Sequence, residues 1–424
     1  MRLAIIGVVL LLAGASAVAA GVLPLSDVGA LVGRVAPILV FVLSMTVVSE
    51  LASEAGIFRW VARRLRHWGR GRSVVLWLLL ALLAMLCTVF LSLDTTAVLL
   101  TPVVVSVARQ AGLPALPFAL TTVWLANTAS LLLPISNLSN LLAQDTLGGI
   151  SPVGFAALMW APALAAAAVP LLFIAIVFRA GLRKRYERIP VTRIRPAAGE
   201  PAGPARPGTD GRGTDGRGTD GRGTDGRGTD GRGTDRLLLG GAAVVLAVLL
   251  PALVSGVPVW IPSTAAAAVL AALFAVRRRR ALTVSLVPWP LLLFASGLFL
   301  VMEAARQLGA PALLGALAGH GTGAAALLQL AAAGALGSNV LNNLPAYLLA
   351  EPLAGTPQRL AALLIGTNAG PLITPWASLA TLLWHERLRR MNVLIPWRGY
   401  ALFGLAVAPL TVLAAVGALA LAQG

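Results

Sequence analysis

The chain has 424 residues, of which 58% are hydrophobic and 12% are charged, and its formal net charge at pH 7 is +17. Because charged residues make up about a quarter of an ordinary soluble domain, this composition excludes that class and indicates an integral membrane protein. Nucleic-acid binding is the other interpretation of so basic a chain, but the arginines flank apolar runs, as they do in the cytoplasmic loops of membrane proteins.

Apolar runs follow one another along the chain and predict an all-α polytopic membrane protein. The runs lie near 3–23, 29–49, 74–93, 95–108, 115–143, 153–178, 237–255, 259–276, 287–302, 323–350, 359–384 and 399–422. They predict about 10–12 membrane elements, and some runs are so short or interrupted that we expect re-entrant hairpins and broken helices. The first run could be a cleaved signal peptide, but the many spans behind it favour a retained helix.

The basic charge is concentrated in four loops, which the positive-inside rule assigns to the cytoplasm. They are the cluster 59–72, the segment 179–195, the run 277–280 and the segment 387–398. Two crossings precede the first cluster and one helix follows the last. We therefore expect a multi-pass protein of the cell (inner) membrane, with its N-terminus in the cytoplasm and its C-terminus outside.

One long hydrophilic segment, 181–236, separates a first membrane half, 1–180, from a second half, 237–424. It carries five identical Gly-Thr-Asp-Gly-Arg repeats from Gly208 to Arg232. Such residues cannot bury a core, so we predict a disordered cytoplasmic linker. Calcium binding by the repeated aspartates is the alternative, but each repeat also has an arginine that cancels the charge.

Each half contains one copy of a proline-interrupted motif, at 127–142 and at 368–383. Aligned without a gap, the copies match at Asn127/Asn368, Leu131/Leu372, Pro134/Pro375, Leu138/Leu379, Leu141/Leu382 and Leu142/Leu383. Interrupted hydrophobic segments at corresponding positions of two halves are typical of the midplane binding site of a secondary transporter.

A second polar interruption precedes each copy, at 92–96 in the first half and at 337–345 in the second. A hydrophobic hairpin with a polar tip leaves backbone N–H and C=O groups free inside the membrane. Each such group costs several kcal/mol unless it lines a polar cavity. We therefore predict that both interruptions are hairpin tips beside a binding site.

Asp94 is the strongest single candidate for a functional residue. An aspartate near the middle of a spanning segment costs about 2.5–3.5 kcal/mol on insertion scales, which favours a functional role such as carrying the coupling proton. The alternative is a cap on the following helix, with Thr95 and Thr96 as helpers, and the two roles are compatible.

The other polar residues of these interruptions are the predicted substrate-binding residues. Besides Thr95 and Thr96 they are Asn127, Thr128, Ser130, Ser136, Asn137, Asn140, Ser338, Asn339, Asn342, Asn343, Asn368, Thr374 and Ser378. Amides and hydroxyls suit a small neutral polyol-like solute or a small oxyanion, and backbone carbonyls could hold a desolvated cation. For any one residue, the alternative role is a polar contact between helices. This alternative is less favoured because both halves contain matched polar clusters.

The remaining polar residues are interpreted structurally. Glu303 and Arg306 lie three residues apart and are expected to form an interfacial pair, while Glu50 and Glu54 are expected at a helix boundary. Cys87 is the one cysteine, so a single chain can form no disulfide and no thiolate metal site.

Several of these stretches together resemble the arsenite/antimonite efflux permease (ArsB) family, within the ion-transporter superfamily that includes sodium–dicarboxylate carriers. The resemblance covers most of both halves and is carried by 53–60, Asp94 with Thr101-Pro102, 127–140, 338–345 and 370–384. It implies two inverted repeats, each with a re-entrant hairpin and a broken helix. The family has an acid where Asn127 stands and Cys-Asp where Thr367-Asn368 stand, which leaves Asp94 as the main candidate for the proton site.

The resemblance implies export of arsenite and antimonite in exchange for protons, by alternating access, with no cofactor besides protons or sodium as the coupling ion. Trivalent arsenic is mostly neutral As(OH)3 near pH 7, which a hydroxyl-and-amide pocket could hold. The expected partners are the lipid bilayer and the small metalloid or anion substrate, with a separate ArsA-type ATPase and a homodimer left open. No nucleotide-binding motif is present, so any ATP drive needs that separate subunit.

Three other functions compete with arsenite export. A sodium-coupled carrier of dicarboxylate or another small anion would use the same polar hairpin tips. An intramembrane enzyme is less favoured, because the chain has no His-rich metal motif and no second well-placed acid. A channel is less favoured as well, since paired broken motifs indicate alternating access.

Overall fold

The structure is a computed structural model that describes residues 2–186 and 235–423. The predicted linker with its repeats lies outside the described residues, except for 181–186 and 235–236. The described part of the first half contains α1 (Arg2–Ala19), α2 (Leu25–Ala55), α3 (Ile57–Trp68), α4 (Ser73–Leu91), α5 (Leu93–Thr95), α6 (Thr101–Gln110), α7 (Ala115–Thr128), α8 (Leu138–Thr146), α9 (Pro152–Val177) and α10 (Arg179–Leu182).

The second half repeats much of this series of elements. It contains α11 (Arg236–Ala252), α12 (Trp260–Arg277), α13 (Trp289–Gln307), α14 (Ala310–Ala318), α15 (Ala324–Val340), α16 (Asn343–Ala350), α17 (Pro357–Leu364), α18 (Leu379–Arg390) and α19 (Trp397–Gln423). Short π-helical turns occur at Thr96–Leu100 and Ile365–Ala369, and 3-10 turns at Ala129–Leu131, Pro134–Ser136, Arg279–Ala281, Val284–Leu286, Glu351–Leu353 and Pro375–Ala377.

The described residues contain six helices that are long and apolar enough to cross a membrane, and four shorter apolar ones. The long ones are α2, α4, α9, α12, α13 and α19, and the shorter ones are α1, α7, α11 and α15. The predicted all-α polytopic class is thus confirmed. The shortness of α7 and α15 follows from the polar interruptions that end them.

The two polar interruptions that precede the motif copies are hairpin tips. Ser92 separates α4 from α5 and has φ 107°, a conformation that costs a non-glycine residue about 1–3 kcal/mol. In the second half, α15 ends at Val340 and α16 begins at Asn343. The chain reverses at both points, as the sequence predicts.

The two proline motifs are breaks in helices. In the first copy the backbone is extended at Leu133 and Asn137, on either side of Pro134, before α8 begins. In the second it is extended at Thr374 and Ser378, around Pro375. Proline cannot donate the hydrogen bond that a continuing helix needs, so the matched prolines explain why both helices break at the same register.

The described parts of the four basic loops meet at one end of the molecule, which we call the basic end. Tyr186 donates a hydrogen bond to the carbonyl of Arg66 (2.8 Å), and Arg109 donates to the carbonyls of Met391 and Asn392 (2.7 and 3.1 Å). In addition, Arg278 pairs with Glu54 (3.1 Å). Charges scattered over most of the sequence are therefore on one face.

The opposite end is defined by a second set of contacts. Arg34 pairs with Asp145 (2.8 Å) and with Glu351 (2.7 Å), and Gln307 donates to Asp27 (2.9 Å). The first hairpin starts and ends at the basic end, whereas the second ends next to Glu351. The two hairpins therefore enter from opposite ends of the molecule.

The helices pack in two groups, each of which contains elements of both halves. The frame consists of α1, α2, α11, α12 and α13, which pack mainly on one another. The core consists of α4–α9 and α15–α19, and includes both hairpins and both broken helices. The polar interruptions thus all belong to the core.

Gly366 allows the second broken helix to approach α15. A Cβ at this position would collide with the backbone of Ala331. We expect Gly366→Ala to lower the free energy of unfolding by about 1–3 kcal/mol, because well-packed helices must then separate. Thermal melting of the purified protein measures this. Gly417→Ala, whose Cβ would have no atom within 4 Å, is the control and should melt like the wild type; equal melting of all three proteins would contradict the prediction.

Candidate functional site

A cavity of about 340 Å³ leads from the basic end to the hairpin tip of the first half. Its inner part is lined by Asp94 and Asn137. Its outer part is lined by charged residues, among them Glu50, Arg387 and Arg390. The cavity therefore connects the predicted proton site with the face that carries the basic loops.

A smaller cavity of about 40 Å³ lies between the tips of the two hairpins. It is lined by Leu93, Asp94, Asn137, Leu138, Leu291, Phe294, Ala295, Asn342, Asn343, Leu344, Leu379 and Ala380. One carboxylate and three amides thus face a common space, and no arginine or lysine is among these lining residues. Residues that are more than 240 positions apart in the sequence meet here.

Asp94 lies in α5, directly after the break, and is half-buried. The cap of this short helix is Ser92, whose hydroxyl accepts a hydrogen bond from the backbone N–H of Thr95 (3.4 Å). Within the described part of the chain, nothing donates a hydrogen bond to the Asp94 carboxylate. Capping therefore does not account for this acid, and its carboxylate is free to face the cavity.

Asn368 joins the two broken helices. Its side-chain oxygen accepts hydrogen bonds from Asn137 (3.0 Å) and Ser139 (2.9 Å), and its amide donates to the side-chain oxygen of Asn140 (2.7 Å). All of these side chains are buried. The second copy of the motif is therefore bonded directly to the first, across 231 positions of sequence.

Two asparagines hold the broken segments in shape. Asn140 donates to the carbonyls of Ser130 (2.6 Å) and Leu133 (3.0 Å) in the first break. Asn339 accepts from the backbone N–H of Thr374 (3.1 Å) and donates to the carbonyl of Gly370 (2.9 Å) in the second. Backbone groups left over where a helix breaks are thus satisfied by amide side chains, as burial requires.

The other predicted residues divide between cavity walls and helix contacts. Thr95 and Ser136 line the larger cavity, although each also bonds to a backbone carbonyl. Hydroxyls or amides that bond within or between helices are those of Thr96, Asn127, Thr128, Ser130, Ser338 and Thr374. Asn342 and Asn343 line the smaller cavity. Substrate contact by any of these residues stays a prediction.

Ser378 belongs to a group of five buried polar atoms that have no hydrogen-bond partner among the described residues. The group comprises Trp124 Nε1, Asn127 Oδ1, Ser378 Oγ, Thr381 Oγ1 and Tyr400 OH. Trp384 Nε1 donates to the carbonyl of Ala119 (3.0 Å), which sets the register between α7 and α18.

The sequence analysis missed the residues that connect frame and core. Within residues 2–186 and 235–423, both ion pairs between the two groups are made by Arg34, with Asp145 and Glu351. Glu50, interpreted above as a boundary residue, lines the larger cavity together with Asp94. Buried charges in an apolar chain were the available signal, but their partners lie up to 317 positions away.

Replacement of Asn368 by alanine tests the link between the broken helices. It removes three hydrogen bonds and leaves buried amides without partners, which costs about 1–3 kcal/mol per unsatisfied group. We expect Asn368→Ala to lower the melting temperature clearly. Thr411→Ala is the control, because the Thr411 hydroxyl is also buried but bonds only within its own helix, to Val407. Equal melting of the two variants would contradict the prediction.

The family model and the relatives that match this chain are named as membrane transporters or pumps. Residues 2–381 match the family model described as citrate transporter, CitMHS. An arsenical pump membrane protein from Escherichia coli is 29% identical over 426 residues, which cover 96% of this chain and 91% of that protein. A putative arsenical pump membrane protein from Bacillus subtilis (strain 168) is 24% identical over 423 residues, covering 93% and 89%.

A similar fold is found among solved structures. The YdaH transporter of Alcanivorax borkumensis, described as having an unusual topology, superimposes with a TM-score of 0.56. The match covers 99% of this chain and 97% of that chain at 16% sequence identity. This likeness concerns the fold alone.

Proposed function

Because this chain belongs to the citrate transporter (CitMHS) family, and is thus a multi-pass membrane transporter, we propose that it exports arsenite and antimonite in exchange for protons. The relatives named arsenical pump membrane proteins support this choice of substrate within the family. The family description names citrate instead, so the choice between the two substrates has to be argued from the site.

The lining of the smaller cavity favours arsenite over citrate as the substrate. It presents Asp94 and the amides of Asn137, Asn342 and Asn343, with no arginine or lysine among its residues. A multiply charged carboxylate substrate would need cationic partners there, and Asp94 would repel it. A small neutral hydroxide such as As(OH)3 can both donate to and accept from amides and a carboxylate.

Asp94 provides a simple exchange of proton for substrate. In the ionised state, its carboxylate accepts a hydrogen bond from a hydroxyl of the arsenite that enters from the basic end. After the core moves, a proton from the outside binds to the carboxylate, which then no longer accepts that bond, and arsenite leaves. The proton is released at the basic end when the core returns. One carboxylate thus alternates between proton and substrate, as antiport requires.

An anion carrier is the second candidate function, and the larger cavity favours it. Arg387 and Arg390 line that cavity near its mouth, where they would attract an anionic substrate. The citrate transporter description of the family model supports the same function. Such a carrier would use sodium or protons and would hold its substrate farther from Asp94.

Transport into everted membrane vesicles that contain the protein tests the proposal. We expect arsenite to accumulate when the vesicle interior is acidic, and to stop accumulating when an ionophore removes the pH gradient. Vesicles without the protein are the control. Accumulation of citrate but not arsenite, or a requirement for sodium, would contradict the proposal and favour the anion carrier.

The location and assembly of the protein are part of the same proposal. We place it in the cell (inner) membrane, with the basic end toward the cytoplasm, since the described parts of the four basic loops meet there. The larger cavity, which contains Asp94, then opens to the cytoplasm, from which an exporter takes its substrate. A separate ArsA-type ATPase and a homodimer remain compatible with this arrangement.

A further inference from the structure

Three arginines line a groove at the basic end, away from the cavity that contains Asp94. They are Arg70, Arg72 and Arg185, and all three are exposed. The groove has a volume of about 1000 Å³, and its other lining residues are Trp68, Gly71, Val75 and Tyr186. It lies where the surface helix α3 passes into the spanning helix α4.

The backbone holds two of these arginines side by side. Arg72 and Arg185 are paired in an isolated antiparallel bridge, which puts their side chains directly opposite each other. The N–H of Tyr186 donates to the carbonyl of Gly71 (3.0 Å), and the N–H of Ser73 donates to the carbonyl of Lys184 (3.3 Å). Tyr186 is buried and anchors this segment. The pairing is therefore a fixed feature of the fold.

Like charges directly opposite each other in such a pair are destabilising. In the part of the chain that the structure describes, no carboxylate forms an ion pair with Arg70, Arg72 or Arg185. An anion with several oxygen acceptors would relieve the repulsion, and guanidinium groups bind phosphate oxygens in a bidentate manner. The groove thus has the chemistry of a phosphate site.

We propose that this groove binds the phosphate of an anionic phospholipid. The apolar side of α3 is packed inward through Phe58, Ala62 and Leu65, so the helix lies along the surface of the protein. Trp60 and Trp68 of the same helix are 50% and 59% exposed, as aromatic side chains at a membrane interface are. Trp68 and Val75 offer the apolar contact that a lipid makes and a free phosphate ion lacks.

Titration of the purified protein with phosphatidylglycerol, with bound lipid counted by native mass spectrometry, tests this site. We expect R72Q/R185Q to bind phosphatidylglycerol about 10- to 30-fold more weakly than the wild type, since each arginine near an anionic lipid adds roughly a factor of five. Binding of phosphatidylcholine should not change. R279Q/R280Q removes two exposed arginines from another basic loop and is expected to bind like the wild type.

Three outcomes would overturn the proposal. If R72Q/R185Q and R279Q/R280Q weaken lipid binding equally, the attraction is a general effect of charge. If neither double variant changes lipid binding, the groove is not the site. Displacement of phosphatidylglycerol by millimolar inorganic phosphate would identify a free oxyanion as the ligand. R72K/R185K keeps the charges and should bind lipid, which separates loss of the site from misfolding. None of these outcomes depends on whether arsenite is transported.

Discussion

Vesicles that contain the Asp94→Asn variant should show no accumulation of arsenite driven by a pH gradient. The asparagine has nearly the same shape but cannot take up and release a proton, so the coupling is lost. We expect exchange of arsenite against arsenite, without a gradient, to continue, because the amide can still bond to the substrate. Accumulation and exchange of radioactive or mass-labelled arsenite measure the two activities separately.

Asp27→Asn is the control for this experiment. Asp27 lies at the opposite end of the molecule, bonded to Gln307, and its replacement makes the same chemical change outside both cavities. We expect it to retain gradient-driven accumulation. If Asp94→Asn also retained it, the proton would travel through another group. Loss of both activities in a folded Asp94→Asn protein would limit Asp94 to substrate binding.

The second large effect is expected at Arg34, which connects frame and core at the end opposite the large cavity. The Glu351 side chain is only 8% exposed, and it accepts hydrogen bonds from Tyr347 (3.0 Å) and Thr146 as well as from Arg34. Removal of one partner of a buried ion pair costs about 3–5 kcal/mol, and the partial exposure of Arg34 reduces this to roughly 2–3 kcal/mol. We expect Arg34→Met to lower the melting temperature by several degrees.

Arg306→Met is the matched control. Arg306 is 46% exposed and pairs with Glu303 within one helix (3.0 Å), and such surface pairs contribute about 0–1 kcal/mol. The double variant R34M/E351M should recover much of the stability, because no buried charge is then left without a partner. A double variant that melts as low as R34M, or an R34M that melts like the wild type, would show that the pair does not hold the two groups together.

The same network bears on the transport cycle. The cavity of about 340 Å³ that contains Asp94 opens at the basic end. At the other end, Arg34 joins the frame to Asp145 and Glu351 of the core, beside a second cavity of about 520 Å³. In the proposed alternating access, movement of the core relative to the frame would break the bonds of Arg34. We expect R34M to favour the state that is open at the opposite end, which faster labelling of a cysteine introduced near Asp145 would report.

Composition and local sequence pattern were enough to specify the class of the protein and the position of its interruptions. Composition and apolar runs specify spanning helices because the bilayer requires each backbone to satisfy its hydrogen bonds within its own segment. The prolines and the polar residues around them specify the breaks for the same local reason. The resemblance carried by these motifs led to the family that the comparisons confirm.

Which polar residues meet depends on the packing of the helices and could not be read from the sequence. Nothing in the sequence indicates that Asn368 bonds to Asn137, that Arg34 joins Glu351, or that Glu50 shares a cavity with Asp94. Such contacts depend on how helices of both halves pack into frame and core, and hydropathy is nearly the same for every way of packing them. Likewise, an amide that braces a broken helix and an amide that faces the cavity have the same sequence pattern, and only the direction of the side chain distinguishes them.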